Sequence, residues 1–284
     1  MQIAVITDEI DADLAHALDV MAEYGVRGAE LRGLWDKNIA DAPPEYWHRA
    51  KALLDARGMH AVGIASPFYK CEMPPGVTVE GEAGPLHSAS ARGLGEQIAL
   101  LEHCFRAAEF FGTNLVRVFS FWKRGTLTPE IEEQIVDAFA EPAAMAARAG
   151  MVLGIENEHA CYLGTGAQTA RVLEEINSPH VRAIWDPGNA FMDGEQPFPT
   201  GYEAIKDFIT HVHVKDAHVP ASSLVPEWAC VGKGQIDWAG QLAALQASGY
   251  GGYLSLETHW AGPGGKEASS RACLAALREM AGAG

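Results

Sequence analysis

Cysteine is scarce in this 284-residue chain and shows no pairing pattern. Cys71, Cys104, Cys161, Cys230 and Cys273 are odd in number and contain no C-x-x-C spacing. That argues against a disulfide framework and for a reducing compartment. Positive charge is also short, with 21 Lys and Arg against 37 Asp and Glu, a formal net charge of -16. Such a field repels a polyphosphate backbone or an anionic bilayer, so no nucleic acid and no membrane is expected as partner, although a local basic cluster can still hold a small anion. Long apolar runs are missing as well: no window approaches the ~18 apolar residues of a membrane helix. The opening Met1-Gln2-Ile3-Ala4-Val5-Ile6 lacks a basic lead and is cut short by Asp8 and Glu9, so no signal peptide is expected and the predicted location is cytoplasmic.

What the chain does have is apolar content. With 48% hydrophobic and 20% charged residues, it can bury a large core. Its length fits either two small domains or one barrel. The order of its segments decides. Short β-branched runs alternate with Ala- and Leu-rich stretches of helical period, the pattern of parallel strands joined by crossover helices. Eight such runs are predicted, at Gln2 to Thr7, Gly28 to Arg32, His60 to Ala65, Asn114 to Phe119, Met151 to Glu156, Val181 to Trp185, Thr210 to Val214 and Gly252 to Glu257. Eight is the number of strands in a (β/α)8 TIM barrel, and a single α/β barrel domain over 1–284 is the expectation.

Amphipathic segments such as Leu14 to Tyr24, Ala89 to Phe111, Ile131 to Ala149 and Trp238 to Ala247 run into Gly25, Gly112, Gly150 and Gly249, which suit helix C-caps. Longer polar connections follow several strands: Pro74 to His87, within an insertion at about 70–88, Met192 to Gly201, and Ala217 to Gly234. They are predicted to form a lid and rim at the C-terminal mouth, where barrel enzymes carry their chemistry.

Four successive runs end in potential metal ligands: Ile155-Glu156-Asn157, Trp185-Asp186-Pro187, His211-Val212-His213 and Leu256-Glu257-Thr258-His259. One carboxylate at a strand end is commonly a helix cap or a rim ion pair, and one His in an apolar strand is commonly structural. Barrel closure, however, gathers all four ends around one axis, where unpaired carboxylates repel unless a cation lies among them. A mixed oxygen and nitrogen donor set suits one divalent ion per chain: Mn, Mg, Co or Zn. Strand alternation puts Glu156 with Glu158, His211 with His213, and Glu257 with His259 on common faces, so spacing does not choose within each pair.

The ordered set "IENEH", "WDPGN", "HVHVKD", "VGKGQIDW" and "LSLETH", together with "ITDEI", "AELRGLW" and "SPFYK", resembles the xylose isomerase-like superfamily of sugar phosphate isomerases and epimerases across essentially the whole chain. The resemblance implies Glu156, Asp186, His213 and Glu257 as metal ligands. It also implies a metal-dependent isomerase or epimerase that shuttles a proton alpha to a carbonyl in a small sugar, sugar phosphate or sugar acid through an enediolate. Glu156 and Glu257 are then the catalytic acid/base pair, since a cation stabilises the enediolate oxygen and a carboxylate beside it can take the proton. Proton movement by His159, His259 or a metal-bound water is the competing assignment.

Two departures bear on the activity. Ketose 3-epimerases of the superfamily carry a His three residues after the strand 6 Asp and an Arg six residues after the strand 7 His, where this chain has Asn189 and Val219. Lys215-Asp216 instead resembles the H-x-K-D of inosose dehydratases, which makes a lyase using the same metal and glutamates the alternative. A non-catalytic sugar-binding barrel and a hydrolase like the apurinic-site endonucleases are further readings. Lys215, Asn189, His159, His211, His259, Arg32 and Arg117 are the predicted substrate-binding residues, and Lys70 and Lys123 also fall near strand ends. Any of these bases can equally neutralise a neighbouring carboxylate. Trp35, Phe68, Phe121 and Trp260 follow strands and fit either pocket walls or core packing. The expected partner is a small carbohydrate, and self-association into dimers or tetramers rests on the resemblance alone.

Overall fold

The computed structural model describes residues 1–73 and 92–282, so the connection predicted at Pro74 to His87 lies outside the described residues. Eight parallel strands close into a barrel: Gln2–Ile6, Gly28–Leu31, His60–Ile64, Leu115–Val118, Val152–Glu156, Val181–Trp185, Ile209–Val214 and Tyr253–Leu256. Each pairs with its neighbour in sequence, and the first pairs with both the second and the last, Ala4 standing opposite Ser255 and Gly28. The eight predicted runs are these eight strands, with ends shifted by at most two residues. The fold is thus a (β/α)8 TIM barrel.

Helices such as Leu14–Glu23, Pro44–Asp55, Leu94–Phe111, Pro129–Ala149, Gly166–Ile176, Trp238–Ala247 and Gly265–Met280 wrap the strands. Their starts follow local chemistry. Thr128 accepts from the Ile131 backbone N–H and is followed by Pro129 at the first helical position, and Thr165 with Gln168 forms a capping box. Gly112 and Gly150 end their helices in the left-handed conformation, as the helix-Gly-strand junctions predict. The layer between strands and helices is filled by side chains such as Leu18, Leu31, Ile64, Leu101, Phe139, Leu153 and Leu274, all fully buried. At ~1.5–3 kcal/mol for each large apolar side chain withdrawn from water, this layer is the main favourable contribution to folding.

Phe68 and Phe121 belong to that layer. They stack on either side of Tyr69, with centroids at 3.9 and 4.4 Å, and are fully buried. Trp35 lies under Arg49 and edge-on to Tyr46. Of the aromatic side chains weighed as pocket walls, Phe68 and Phe121 therefore pack in the core, whereas Trp35 also lines a hollow beside Asp8 and Gly33. No helix among the described residues is long and apolar enough to cross a membrane.

Candidate metal centre

The C-terminal ends of the strands converge as a parallel barrel requires. Glu156 ends the fifth strand, Asp186 directly follows the sixth, His213 lies near the end of the seventh, and Glu257 directly follows the eighth. One ligand atom from each lies within 4.8 Å of one from every other, and all four residues are buried. His213 Nδ1 is 3.3 Å from Glu156 Oε1, 3.2 Å from Glu257 Oε2 and 3.9 Å from Asp186 Oδ2. Asp186 Oδ2, His213 Nδ1 and Glu257 Oε2 are buried and make no well-directed hydrogen bond, although Lys215 Nζ stands 2.9 Å from both oxygens. Three buried carboxylates gathered with an imidazole at one point repel unless positive charge lies among them, and their chemistry fits a divalent ion with oxygen and nitrogen ligands.

The alternation of strand residues left three pairs open, and the structure separates their members. His211 and His213 both face the interior, but His211 lies one layer deeper and meets Glu30 Oε2 at 3.0 Å, away from the carboxylates. His211, expected as a substrate-binding residue, thus has its ring on Glu30 inside the barrel. Glu158 lies beyond the strand end and turns to Lys70 at 2.9 Å and His159 at 2.9 Å. His259 stays at the rim, 3.5 Å from Glu257 and 30% exposed.

Glu30 had no assigned role in the sequence reading, yet it organises the site from below. Its two oxygens accept from His213 Nε2 at 3.1 and 3.2 Å, and one also accepts from Ser255 Oγ at 2.6 Å. A proton held on Nε2 directs the Nδ1 lone pair toward the carboxylate cluster. Burial raises the Glu30 pKa, but His213 and His211 outweigh it and hold the carboxyl well below its ordinary range. The one sequence signal was a Glu in an otherwise apolar strand, Gly28-Ala29-Glu30-Leu31.

The remaining predicted residues surround the ligands. Asn189 donates from Nδ2 to Glu156 Oε1 at 3.0 Å and from its backbone to Asp186 Oδ1, while His159 Nδ1 meets Asn189 Oδ1 at 3.0 Å. Arg117 donates to Glu156 Oε2 at 3.2 Å. Arg32 spans Asp8, Glu9 and Glu257 Oε1, the last at 2.9 Å. Lys215 Nζ stands among the carboxylates themselves, 2.9 Å from Asp186 Oδ2 and Glu257 Oε2 and 3.3 Å from Glu156 Oε1. It does not pair with Asp216, which accepts instead from the backbone N–H groups of Ala217, Gly232, Gly234 and Ile236. Asp216 thereby ties down the connection that follows the seventh strand.

That connection contains a small antiparallel hairpin, Asp216–His218 with Glu227–Ala229. It carries Trp228, another residue the sequence reading did not single out. The indole lies edge-on to His259 at 4.9 Å and to His159 at 5.8 Å, with Lys215 Nζ 5.7 Å from its centre. Gly188 makes this closeness feasible, because a Cβ there would stand 2.7 Å from Lys215 Cβ and 3.2 Å from the Trp228 ring.

Burial and charge pull the ligand carboxyls apart. Burial pushes Glu156 up, but Lys215 and His213 bring it down to about 2. Asp186 is pushed up by burial, with Glu156 and Glu257 adding to that, and Lys215 only partly offsets them, leaving it at about 6. Against burial, Lys215 and His213 hold Glu257 well below its usual range. Asp186 is thus set apart from the two glutamates, a divergence of the kind common at functional sites.

A family model described as xylose isomerase-like TIM barrel matches residues 18–280. An inosose dehydratase from Geobacillus thermodenitrificans is 29% identical over 154 residues, covering 48% of this chain and 50% of the relative, so the match spans about half the length of that curated protein. Among solved structures, the IOLI protein with a bound zinc atom superposes with a TM-score of 0.77 at 16% identity, over 100% of this chain and 99% of that one. D-psicose 3-epimerase from Clostridium cellulolyticum H10 does so with a TM-score of 0.71 at 14% identity, over 99% of each chain. At these identities the structural likeness shows the fold alone.

Proposed function

The chain belongs to the xylose isomerase-like TIM barrel family, and on that premise we propose that it is a divalent-metal-dependent isomerase or epimerase that moves a proton on the carbon beside a carbonyl in a small carbohydrate. The observation that carries this reading is the convergence of Glu156, Asp186, His213 and Glu257 from four successive strands, all buried, with one ligand atom from each within 4.8 Å of the others. Those four residues would hold the ion. A bound divalent cation supplies a Lewis acid for the carbonyl oxygen and makes the neighbouring C–H more acidic.

The rest is the work of side chains. Glu156 is steered by Asn189 and Arg117, and Glu257 by Arg32, so each carboxylate is fixed in orientation before substrate enters. Both are held ionised at neutral pH, the state in which a carboxylate can take a proton. One glutamate removes the α-proton and the other returns it to the opposite face or the adjacent carbon. Lys215 and Arg117 supply positive charge close to both, which favours the negative charge that develops on the substrate. Trp228 with His159 and His259 covers the mouth and limits water at the reacting carbon.

The test is exchange. Metal-loaded protein is incubated with ketoses and keto-cyclitols in D2O, and deuterium at the α-carbon is followed by NMR with the product mass. Exchange with conserved mass supports the proposal. Exchange accompanied by loss of one water replaces it with a dehydratase, the activity of the half-matched relative. Absence of exchange across the panel, with the ion bound, overturns both.

A further inference from the structure

Two thiols that lie 43 positions apart in sequence meet beside the attachment of the Trp228 hairpin, their sulfurs 3.6 Å from each other. Cys230 directly follows the second hairpin strand, Glu227–Ala229, and Cys273 belongs to the last helix, Gly265–Met280. All five cysteines are free thiols, and neither member of this pair belongs to a cluster of potential metal ligands.

The packing around the pair holds the sulfurs together. The turn after Cys230 closes with the Lys233 N–H donating to the Cys230 carbonyl at 2.8 Å, and Gly232 within it has a φ of +77°. A Cβ on Gly232 would stand 3.2 Å from Met280 Sδ. Cys273 and Met280 are about two helical turns apart and share one face of their helix, so the turn rests on that face at both points. Asp216 grips the same turn, accepting from the Gly232 and Gly234 N–H groups at 2.8 and 3.0 Å.

Access distinguishes the two sulfurs. Cys230 is half-buried, whereas Cys273 is 1% exposed. Burial pushes the Cys273 thiol up to about 12, with Cys230 adding to the rise and the Val231 backbone N–H opposing it. Cys71 and Cys104 are likewise pushed up to about 12 by burial, and burial raises Cys161 as well. The first encounter with a disulfide from solvent therefore falls to Cys230.

Independently of the activity proposed above, we infer that Cys230 and Cys273 form an exchange site for a low-molecular-weight disulfide, and that the bond they make clamps the Trp228 hairpin to the last helix. The Cys230 thiolate attacks one sulfur of the small disulfide, breaks its S–S bond and expels one small thiolate, leaving a mixed disulfide on Cys230. Cys273 then gives its proton to solvent and attacks Cys230 Sγ, the mixed S–S bond breaks, and the second small thiolate leaves. Two protein thiols are oxidised by two electrons, the small disulfide is reduced to two thiols, and two protons pass from the first pair to the second. Trp228 stands two residues before Cys230, with its indole against His159 and His259, so the clamp acts on the cover of the barrel mouth.

The experiment exposes the full-length protein to a series of ratios of oxidised to reduced glutathione, alkylates the remaining thiols in denaturant and maps the peptides by mass. A Cys230–Cys273 cross-link is expected, reversed by reduced glutathione, with Cys71, Cys104 and Cys161 recovered as alkylated thiols. Cys273→Ala is expected to stop with one glutathione on Cys230, and Cys230→Ser to take up none. In the cross-linked protein, Tm is expected to rise by about 4–8 °C, and backbone hydrogen exchange across residues 216–234 to slow at least about threefold. Alkylation of both Cys230 and Cys273 at every ratio, or cross-links that join other cysteines instead, overturns the site; the wild-type map decides this whether or not the variants fold. A cross-link that leaves exchange in the hairpin unchanged overturns the clamp.

Discussion

Glu30 and His213 meet inside the barrel on the side of the imidazole away from the carboxylates, with His213 Nε2 at 3.1 Å from one Glu30 oxygen and 3.2 Å from the other. The contact joins the second strand to the seventh across the barrel interior. Nδ1 is consequently the nitrogen that faces Glu156 and Glu257.

Replacing Glu30 by Gln keeps the volume and removes the charge that holds the His213 tautomer. Metal affinity is expected to fall about 10- to 100-fold, as when the hydrogen-bond partner of a ligating His is lost. Chelator competition measures it, with circular dichroism to establish that the barrel persists. Unchanged affinity would show that Glu30 merely satisfies two histidines.

Elemental mass spectrometry of wild type and His213→Ala, purified side by side, is expected to give close to one divalent ion per chain in the first and little in the second. If neither protein retains metal after resupply, the four-residue centre is not a metal site and the mechanism built on it falls.

Glu156→Gln and Glu257→Gln should each reduce α-proton exchange by about 100-fold or more, because an amide does not accept a proton at neutral pH. The informative case is a variant that keeps its ion. Near-wild-type exchange in either one would remove that glutamate from the proton path.

Metal binding should release protons. Burial lowers the pKa of His213, but Glu30 and Glu156 outweigh it and raise the group well above its ordinary value in the metal-free protein. The proton on Nδ1 must leave before that nitrogen can ligate. Affinity should therefore rise with pH until pH passes the raised His213 value, and weaken as pH falls below it. Titration calorimetry in buffers of different ionisation enthalpy counts the protons; a count of zero at pH 7 would contradict the arrangement.

Lys215→Met should destabilise the metal-free protein by about 3–5 kcal/mol, the usual effect of stripping one partner from a buried charge cluster. Lys215 Nζ lies within 3.3 Å of three buried carboxylates, so solvent screens little of this. Added divalent ion should restore more stability to the variant than to wild type. Chemical denaturation with and without metal checks both statements.

The barrel was legible because each of its strands is a short apolar run fenced by helical segments, and no other common fold uses eight in that order. Within the site, the strand ends pointed to chemistry, but alternation could not separate His211 from His213, since both side chains do face inward. Depth along the barrel axis separates them, and depth is a property of the closed sheet. Glu158 and Glu156 diverge for a different reason: the chain leaves the strand between them, so alternation no longer applies. Glu30 and Trp228 reach the site from across the barrel and from a hairpin tied down by Asp216. Beyond the lone Glu in the apolar run Gly28-Ala29-Glu30-Leu31, neither contact has a local signature.

The hairpin has a consequence for how this scaffold can change. The four candidate ligands belong to the rigid strand ends, whereas Trp228 sits on a separate short ribbon whose attachment is Asp216 and four backbone N–H groups. On the proposed reading, grafting a different ribbon between Asp216 and Gly232 would exchange the cover over the substrate while leaving the four candidate ligands in place. Bond-making and ligand choice would then be separately inheritable parts of one chain, and new specificities would be open to it without rebuilding the centre.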